Sequence, residues 1–424
     1  ADLLPVGATE YARVTHVTAW SATERSRRGI IPSPGTISAA AALLTVAPGS
    51  GESYVFTLRK NEADTAIVIT VADGNVTAEA AEDVHYDAGD SIDWKCTGSA
   101  SAAASAASLV LLWTGDVPGV AIALGGRDDA LDARGALLGG GSNFGSAGQG
   151  YTWPIPATIV AWYVGLRIQP DAGESLVVTF YDDNVQQAES AITFVNGGPI
   201  TQGVEGLTHA VAAGSSMEIG GVDVGAWTGE DCSWGIAYRP AVDGESVCGG
   251  WTISNAPTTA GTYYNYPNSG EATTGSPWTA TEADRTVLAG APSGGPSWIL
   301  RKMHIWQQAA AGSGDGREHR SRVDGIDGNV EVIFGASGTT GSDLVNEDTL
   351  APGDTLSQQL VIVNSPGTTD LSWGFAQFID PGAPPVISEP EIVSITPDTG
   401  SVLGGTPIVI AGSDFQAGAT VRIG

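Results

Sequence analysis

One recurrence constrains this chain more than any other feature of it. The stretch Gly35 to Val71, GTISAAAALLTVAPGSGESYVFTLRKNEADTAIVITV, returns twice in altered form. Pro48, Gly51, Glu52 and Ser53 reappear 122 residues on as Pro170, Gly173, Glu174 and Ser175, and Ile67 and Ile69 reappear as Ile192 and Phe194. Asp64, Ile67 and Ile69 answer again to Asp327, Val330 and Val332. Ala88-Gly89-Asp90 matches Ala213-Gly214-Ser215 and Pro352-Gly353-Asp354, and closing segments begin at Ser108, Ser233 and Ser372. Offsets that drift by one to three residues are what turn-length variation in a triplicated unit gives. A chain of 424 residues is also about the length of three ordinary domains.

Each unit is written as β-structure. Tyr54, Phe56 and Leu58 alternate with Val55, Thr57 and Arg59, and Leu176, Val178 and Phe180 repeat the pattern, as strands with one buried face do. With 58 glycines and 23 prolines as punctuation, the expected fold is all-β: three tandem jelly-roll-like β-sandwich modules, since a propeller blade repeats at only about 40 residues. The modules are placed at 1–116, 117–240 and 241–380. Asp116 to Gly126 and Pro240 to Gly250 read as links, Asn255 to Asp284 as a polar aromatic insertion in the third module, and 381–390 as a proline-rich spacer. Trp234 and Trp373 lie on alternating closing strands and are expected in cores. Cys96, Cys232 and Cys248 are too few and scattered for a disulfide framework; Cys232 with Cys248 is the one pairing worth asking about.

Eighteen basic against 47 acidic side chains give a formal charge of −29, which repels nucleic acid and anionic lipid. No window approaches the roughly 20 apolar residues of a membrane span. The first residues, ADLLPVGATEYARV, carry no secretion signal, so the chain is either used without export or numbered after a leader was removed.

Beyond the spacer, Glu391 to Gly424 closely resembles the opening of an IPT/TIG domain, an immunoglobulin-like sandwich. Ile395, Pro397, Gly400, Gly404, Gly405, Thr406, Gly412, Phe415, Gly418 and Val421 carry the match. A complete domain of that kind approaches the immunoglobulin scale of about 100 residues, so 391–424 is expected to be an incomplete one and the natural chain to continue. The three modules resemble a β-sandwich type of bacteriophage tail-fibre and virion surface proteins, through Gly35-Thr36-Ile37, Ala47 to Asn61 and Ala88 to Asp90. The likeness weakens in the third module, where Glu318 to Arg322 (EHRSR) replaces the apolar strand pattern. It implies a virion part, often trimeric, and names no catalytic residue.

Each candidate for chemistry has a plainer reading. The adjacent pairs Asp128-Asp129 and Asp182-Asp183 read as turn solvation, because neighbours on a strand face opposite ways and a glycosidase needs two carboxylates across a cleft. His16, His85, His209, His304 and His319 show no metal-ligand spacing. Asp324, Asp327 and Asn329 in DGIDGN lack the spacing of a calcium loop, and Asp327 matches the turn residue Asp64. Tyr263, Tyr264, Tyr266 and Trp278 are the binding candidates, by stacking on sugars; the plainer reading, which is preferred, has them cover a sandwich edge or a neighbouring subunit. Arg25, Arg27 and Arg28 form the one basic cluster and read as a solvated loop.

The expectation is therefore a noncatalytic virion protein, a fibre, spike or decoration subunit on the particle surface. Its partners would be other virion proteins and copies of itself, a homotrimer first, with host glycans as a further contact; no cofactor, metal, nucleic acid or membrane is called for. The alternatives are a secreted carbohydrate-binding adhesin and the accessory region of a polysaccharide-degrading enzyme.

Overall fold

The computed structural model describes residues 3–14, 20–127, 134–136, 150–225, 232–252, 256–267, 278–288, 296–367, 369–379, 391–396 and 409–413. They fall into two compact units, Ala1–Ile379 and Asp380–Gly424. The first holds three two-sheet sandwiches. Module one comprises β1 (Thr9–Ala12), β2 (Gly29–Ile30), β3 (Gly35–Leu44), β4 (Gly49–Lys60), β5 (Ala63–Asp73), β6 (Thr77–Ala80), β7 (Val84–Tyr86), β8 (Ser91–Gly98) and β9 (Ala107–Gly115). Module two has β10 (Ala121–Arg127), β11 (Arg134–Ala136), β12 (Tyr151–Thr152), β13 (Ala157–Leu166), β14 (Ser175–Asp182), β15 (Val185–Gln186), β16 (Ile192–Val195), β17 (Thr201–Val211), β18 (Ser216–Val224) and β19 (Cys232–Pro240). Module three has β20 (Glu245–Thr252), β21 (Gly261–Asn265), β22 (Val287–Leu288), β23 (Trp298–Gln307), β24 (Gly316–Val323), β25 (Ile326–Phe334), β26 (Thr340–Leu350), β27 (Thr355–Val363) and β28 (Leu371–Ile379).

Alternation decides which side chains face inward. In module one Tyr54, Phe56 and Leu58 of β4 meet Ile67, Ile69 and Val71 of β5, all fully buried; each such side chain contributes roughly 1.5–3 kcal/mol. Trp162 and Phe180 pack edge to face in module two at 5.7 Å. The hairpin after the fourth strand recurs in all three modules with two successive positive φ angles: Asn61 and Glu62 (51° and 64°), Asp183 and Asn184 (47° and 69°), Asp324 and Gly325 (50° and 74°). That backbone matches strand twist and selects Asn, Asp and Gly. Glu62, the exception, is held by its ion pair with Arg25 at 2.7 Å.

Strand order repeats as well. In module three one sheet runs β20-β28-β23-β26 and the other β21-β27-β24-β25, with β22 also on β27. In module two the sheets run β10-β19-β13-β17 and β11-β18-β14-β15, with β12 on β18 and β16 on β14. Taken in chain order, strands one, eight, three and six share a sheet, and two, seven, four and five share the other; this is the interleaving of a jelly roll. Module one keeps the same order, β1-β8-β4-β5 facing β6-β3-β7 with β9 on β3, but contributes no first strand among the described residues.

Several local expectations change. The segments read as links are strands: β10 and β20 open the next module's sheet, because Ile122 and Leu124 in one and Val247 in the other have apolar surfaces to cover. The described parts of the stretch read as an insertion, 256–267 and 278–284, repeat the start of module one. Tyr264 bridges Thr279 as Tyr11 bridges Ser21, and short 3-10 turns follow at Glu282–Arg285 and Glu24–Arg27. The basic cluster is not a solvated loop: Arg27 and Arg28 are buried, and Arg25 and Arg28 both reach Glu62. EHRSR keeps its strand but fills inward positions with polar groups. Arg317, His319 and Ser321 stand where Tyr54, Phe56 and Leu58 stand, and Gln307, Gln358 and Asp348 are their partners. All three cysteines are free.

The second unit is described by β29 (Glu391–Thr396) and β30 (Val409–Ser413), which pair antiparallel with Ile395 opposite Ile410.

Candidate functional site

Within the first unit the sandwiches are not strung in a line; they close into a ring by one joint used three times. At each joint the short strand of one module lies against the closing strand of the next: β2 on β19, β12 on β28, and β22 on β9. The serines that open the closing segments mark the places. Ser372 Oγ takes the Thr152 amide at 2.8 Å, and Ser108 Oγ takes the Leu288 amide at 3.0 Å. Ser233 lies beside Gly165, where a Cβ would touch Ile30. Charged groups add to the first joint: Arg13 donates to the Ser26 and Cys232 carbonyls, and Arg28 to that of Leu166.

Close approach at two joints depends on glycine. A Cβ on Gly235 would fall on the carbonyl oxygen of Ile30, and one on Gly374 on that of Thr152. The matching residue at the third joint is Val110, and beside it a cavity of about 570 Å³ opens. Its wall includes Leu109, Leu111, Trp113, Leu124, Val247 and Leu288, so all three modules contribute. We expect Gly374→Val to weaken the second joint by about 1–3 kcal/mol, since the clash is with backbone and no side chain can turn away. Faster hydrogen exchange of Tyr151 to Trp153 would report it; unchanged exchange there would count against the joint.

The four aromatic candidates sit at the edge of module three. Trp278 is buried against Trp373 and His319, at ring distances of 5.8 and 6.3 Å. Tyr266 is buried beneath Arg285, 5.2 Å from its ring. Both are thus removed from the set of surface aromatics, because the sheet packing beneath them uses their faces. Tyr264 is half-buried with Arg322 over its ring at 5.5 Å, and the Tyr263 hydroxyl donates to Thr259. Both lie on β21, the outer strand of its sheet. Trp234 and Trp373 are core residues.

The acidic turns are structural in their geometry. Asp327 pairs with Arg320 and Arg322, Asp324 accepts the Thr355 amide at 2.8 Å, and Asn329 donates from its amide to Asp348. Asp182 holds His209 at 2.9 Å and Asp183 caps the Ser216 amide. His85 bonds Asp116, so the two matching histidines pair with aspartates at unmatched positions of the repeat. His16, Asp128 and Asp129 lie outside the described residues. Among the described residues no group of three His, Cys, Asp or Glu side chains is placed to hold a metal ion.

Sequence reading missed one constellation that modules one and three share. Arg59 makes a two-pronged pair with Glu24 at 2.9 and 3.0 Å, pairs with Asp64, and stands 5.8 Å from the Tyr11 ring. Arg322 repeats every element with Glu282, Asp327 and Tyr264. The signal was an arginine five residues before an aspartate at both Asp64 and Asp327; its glutamate, distant in sequence, carried none. The arrangement pins the 3-10 turn to the sheet and leaves the arginine more basic than usual, the hydrogen-bonded carboxylates outweighing its burial.

Residues 390–424 match the IPT/TIG domain family. This is an IPT/TIG domain segment. The IPT/TIG match covers β29 and β30 and leaves the ring untouched. No curated protein matches the chain. Among solved structures, the insecticidal delta-endotoxin Cry8Ea1 from Bacillus thuringiensis is similar at 9% identity and a TM-score of 0.18, over 86% of this chain and 54% of that one. The chain therefore spans about half the length of that protein.

Proposed function

We propose that this chain is a noncatalytic structural subunit of a bacteriophage particle, a fibre, spike or decoration part at the virion surface that bears an IPT/TIG segment. The observation that supports the reading is the closed ring. Three sandwiches joined through buried glycines, serines and arginines make a scaffold whose recurring internal contacts hold the modules together, and whose repeated ion pairs brace turns instead of facing a cleft. A formal charge of −29 keeps copies from clumping. Other virion proteins are the proposed partners. A homotrimer would have to use faces outside the three joints, since these are satisfied within one chain. Host-glycan contact would have only Tyr263 and Tyr264 to use among the four aromatics.

Mass spectrometry of purified particles tests this. The chain should be present at a fixed copy number per particle. Its recovery from the medium of uninfected cells, with none in particles, would replace the reading with that of a secreted adhesin.

A further inference from the structure

The first module differs from its siblings along one edge. β19 lies between β10 and β13, and β28 between β20 and β23, whereas β9, their counterpart, pairs with β3 alone among the described residues. Burial records the difference. β19 is buried from Cys232 to Tyr238, while β9 is only half-buried from Ala107 to Trp113, although its sequence, ASLVLLW, is the more apolar. Leu109, Leu111 and Trp113 pack on the module-one core from one side and line the 570 Å³ cavity on the other. A long apolar strand edge of this kind is a template for pairing that proteins ordinarily cover.

The sibling modules show what covers it. β10 runs antiparallel to β19, from Ala121 opposite Tyr238 to Arg127 opposite Cys232. In module one the buried Leu4 donates its amide to the Ser105 carbonyl at 2.7 Å, just before β9 begins. That is where a strand laid on β9 in the same sense would finish. Trp113, in the cavity wall, has its indole N–H buried with no acceptor among the described residues, and a peptide carbonyl would satisfy it.

We infer that the β9 edge is a receptor for one added strand: an uncharged, extended peptide of the length of β10, 7 residues, antiparallel to β9 and carrying small and branched apolar residues like those of β10. Strand addition supplies affinity through main-chain hydrogen bonds, and the apolar cavity selects the side chains. The inference holds whichever particle or surface the chain belongs to.

The test uses the full chain and a synthetic peptide with the sequence of Val120 to Gly126, VAIALGG, bearing a short lysine tail for solubility. Bound peptide should slow hydrogen exchange of the Ser108 to Gly115 amides by about tenfold or more. The same peptide with Ile122→Asp and Leu124→Asp should bind at least about tenfold more weakly, because two carboxylates would enter an apolar cavity. Equal behaviour of the two peptides, or unchanged exchange in β9, would overturn the inference. So would β9 amides already protected in the chain alone: at monomer mass the chain covers its own edge, and at higher mass a second copy does.

Discussion

Asp93→Ser should stabilise the first module at neutral and alkaline pH, and the third module shows why. Asp93 is fully buried on β8, and neither carboxyl oxygen has a hydrogen-bond partner among the described residues. Burial first, then the nearby Glu24 carboxylate, pushes its pKa up to about 8, with Arg59 and Arg28 only partly opposing. The register that sets Asp93 opposite Arg59 sets Ser357 opposite Arg322. There the Ser357 hydroxyl donates to Glu282 at 2.7 Å, where module one buries the Asp93 carboxyl.

The sign follows from proton binding. An unfolded aspartate titrates near 3.9 and the folded one near 8, so between these values the folded state holds the extra proton and stability falls as pH rises. The full stability is present below about pH 4, and the loss is complete above about pH 8. At pH 7 the handicap is on the order of 4 kcal/mol. Thermal melts of the wild type should therefore decline from pH 5 to 8, and the serine variant should lose that decline while melting higher at pH 8. A wild-type melting temperature that stays level across this range would show that Asp93 is not held protonated.

How much of this could be read from the chain alone depends on the range of the interaction. Alternation along Tyr54, Phe56 and Leu58 gave away the strands, and Gly89, Gly214 and Gly353 gave away a turn that does recur, with φ between 85° and 89°. The interleaved strand order was a preference among sandwiches that the two later modules bear out. The ring was hidden. Gly235 and Gly374 look like any strand glycines until Ile30 and Thr152, some two hundred residues away in each case, are found against them. Likewise DVPGVAIALGG reads as a link because of its glycines and proline, and only the neighbouring sheet edge turns its second half into β10. The candidate aromatics were visible, but their burial was not, since module three's alternation is written partly in Arg317, His319 and Ser321.

His319 gives the opposite pH response, in the third module. Its ring is fully buried between Trp278 and Phe334, with Gln358 at 3.3 Å from Nδ1 and no partner for Nε2 among the described residues. Burial, aided by the charge on Arg317, lowers its pKa to about 3. A histidine of the unfolded chain titrates near 6.5, so below that pH the unfolded state takes up a proton that the folded state refuses. Stability is fully present above about pH 6.5 and is lost as pH falls toward 3, at about 1.4 kcal/mol per pH unit. Module one again supplies the replacement, because Phe56 occupies the corresponding inward position of β4 and is fully buried. His319→Phe should thus remove most of the acid sensitivity of module three between pH 6.5 and 4 and satisfy the ring cluster without an orphaned N–H. Hydrogen exchange of β24 and β27, followed over that range, separates this module from the other two. Equal acid dependence in the wild type and the phenylalanine variant would mean that the imidazole accepts its proton in the folded state, and that the cluster around Trp278 is open to water.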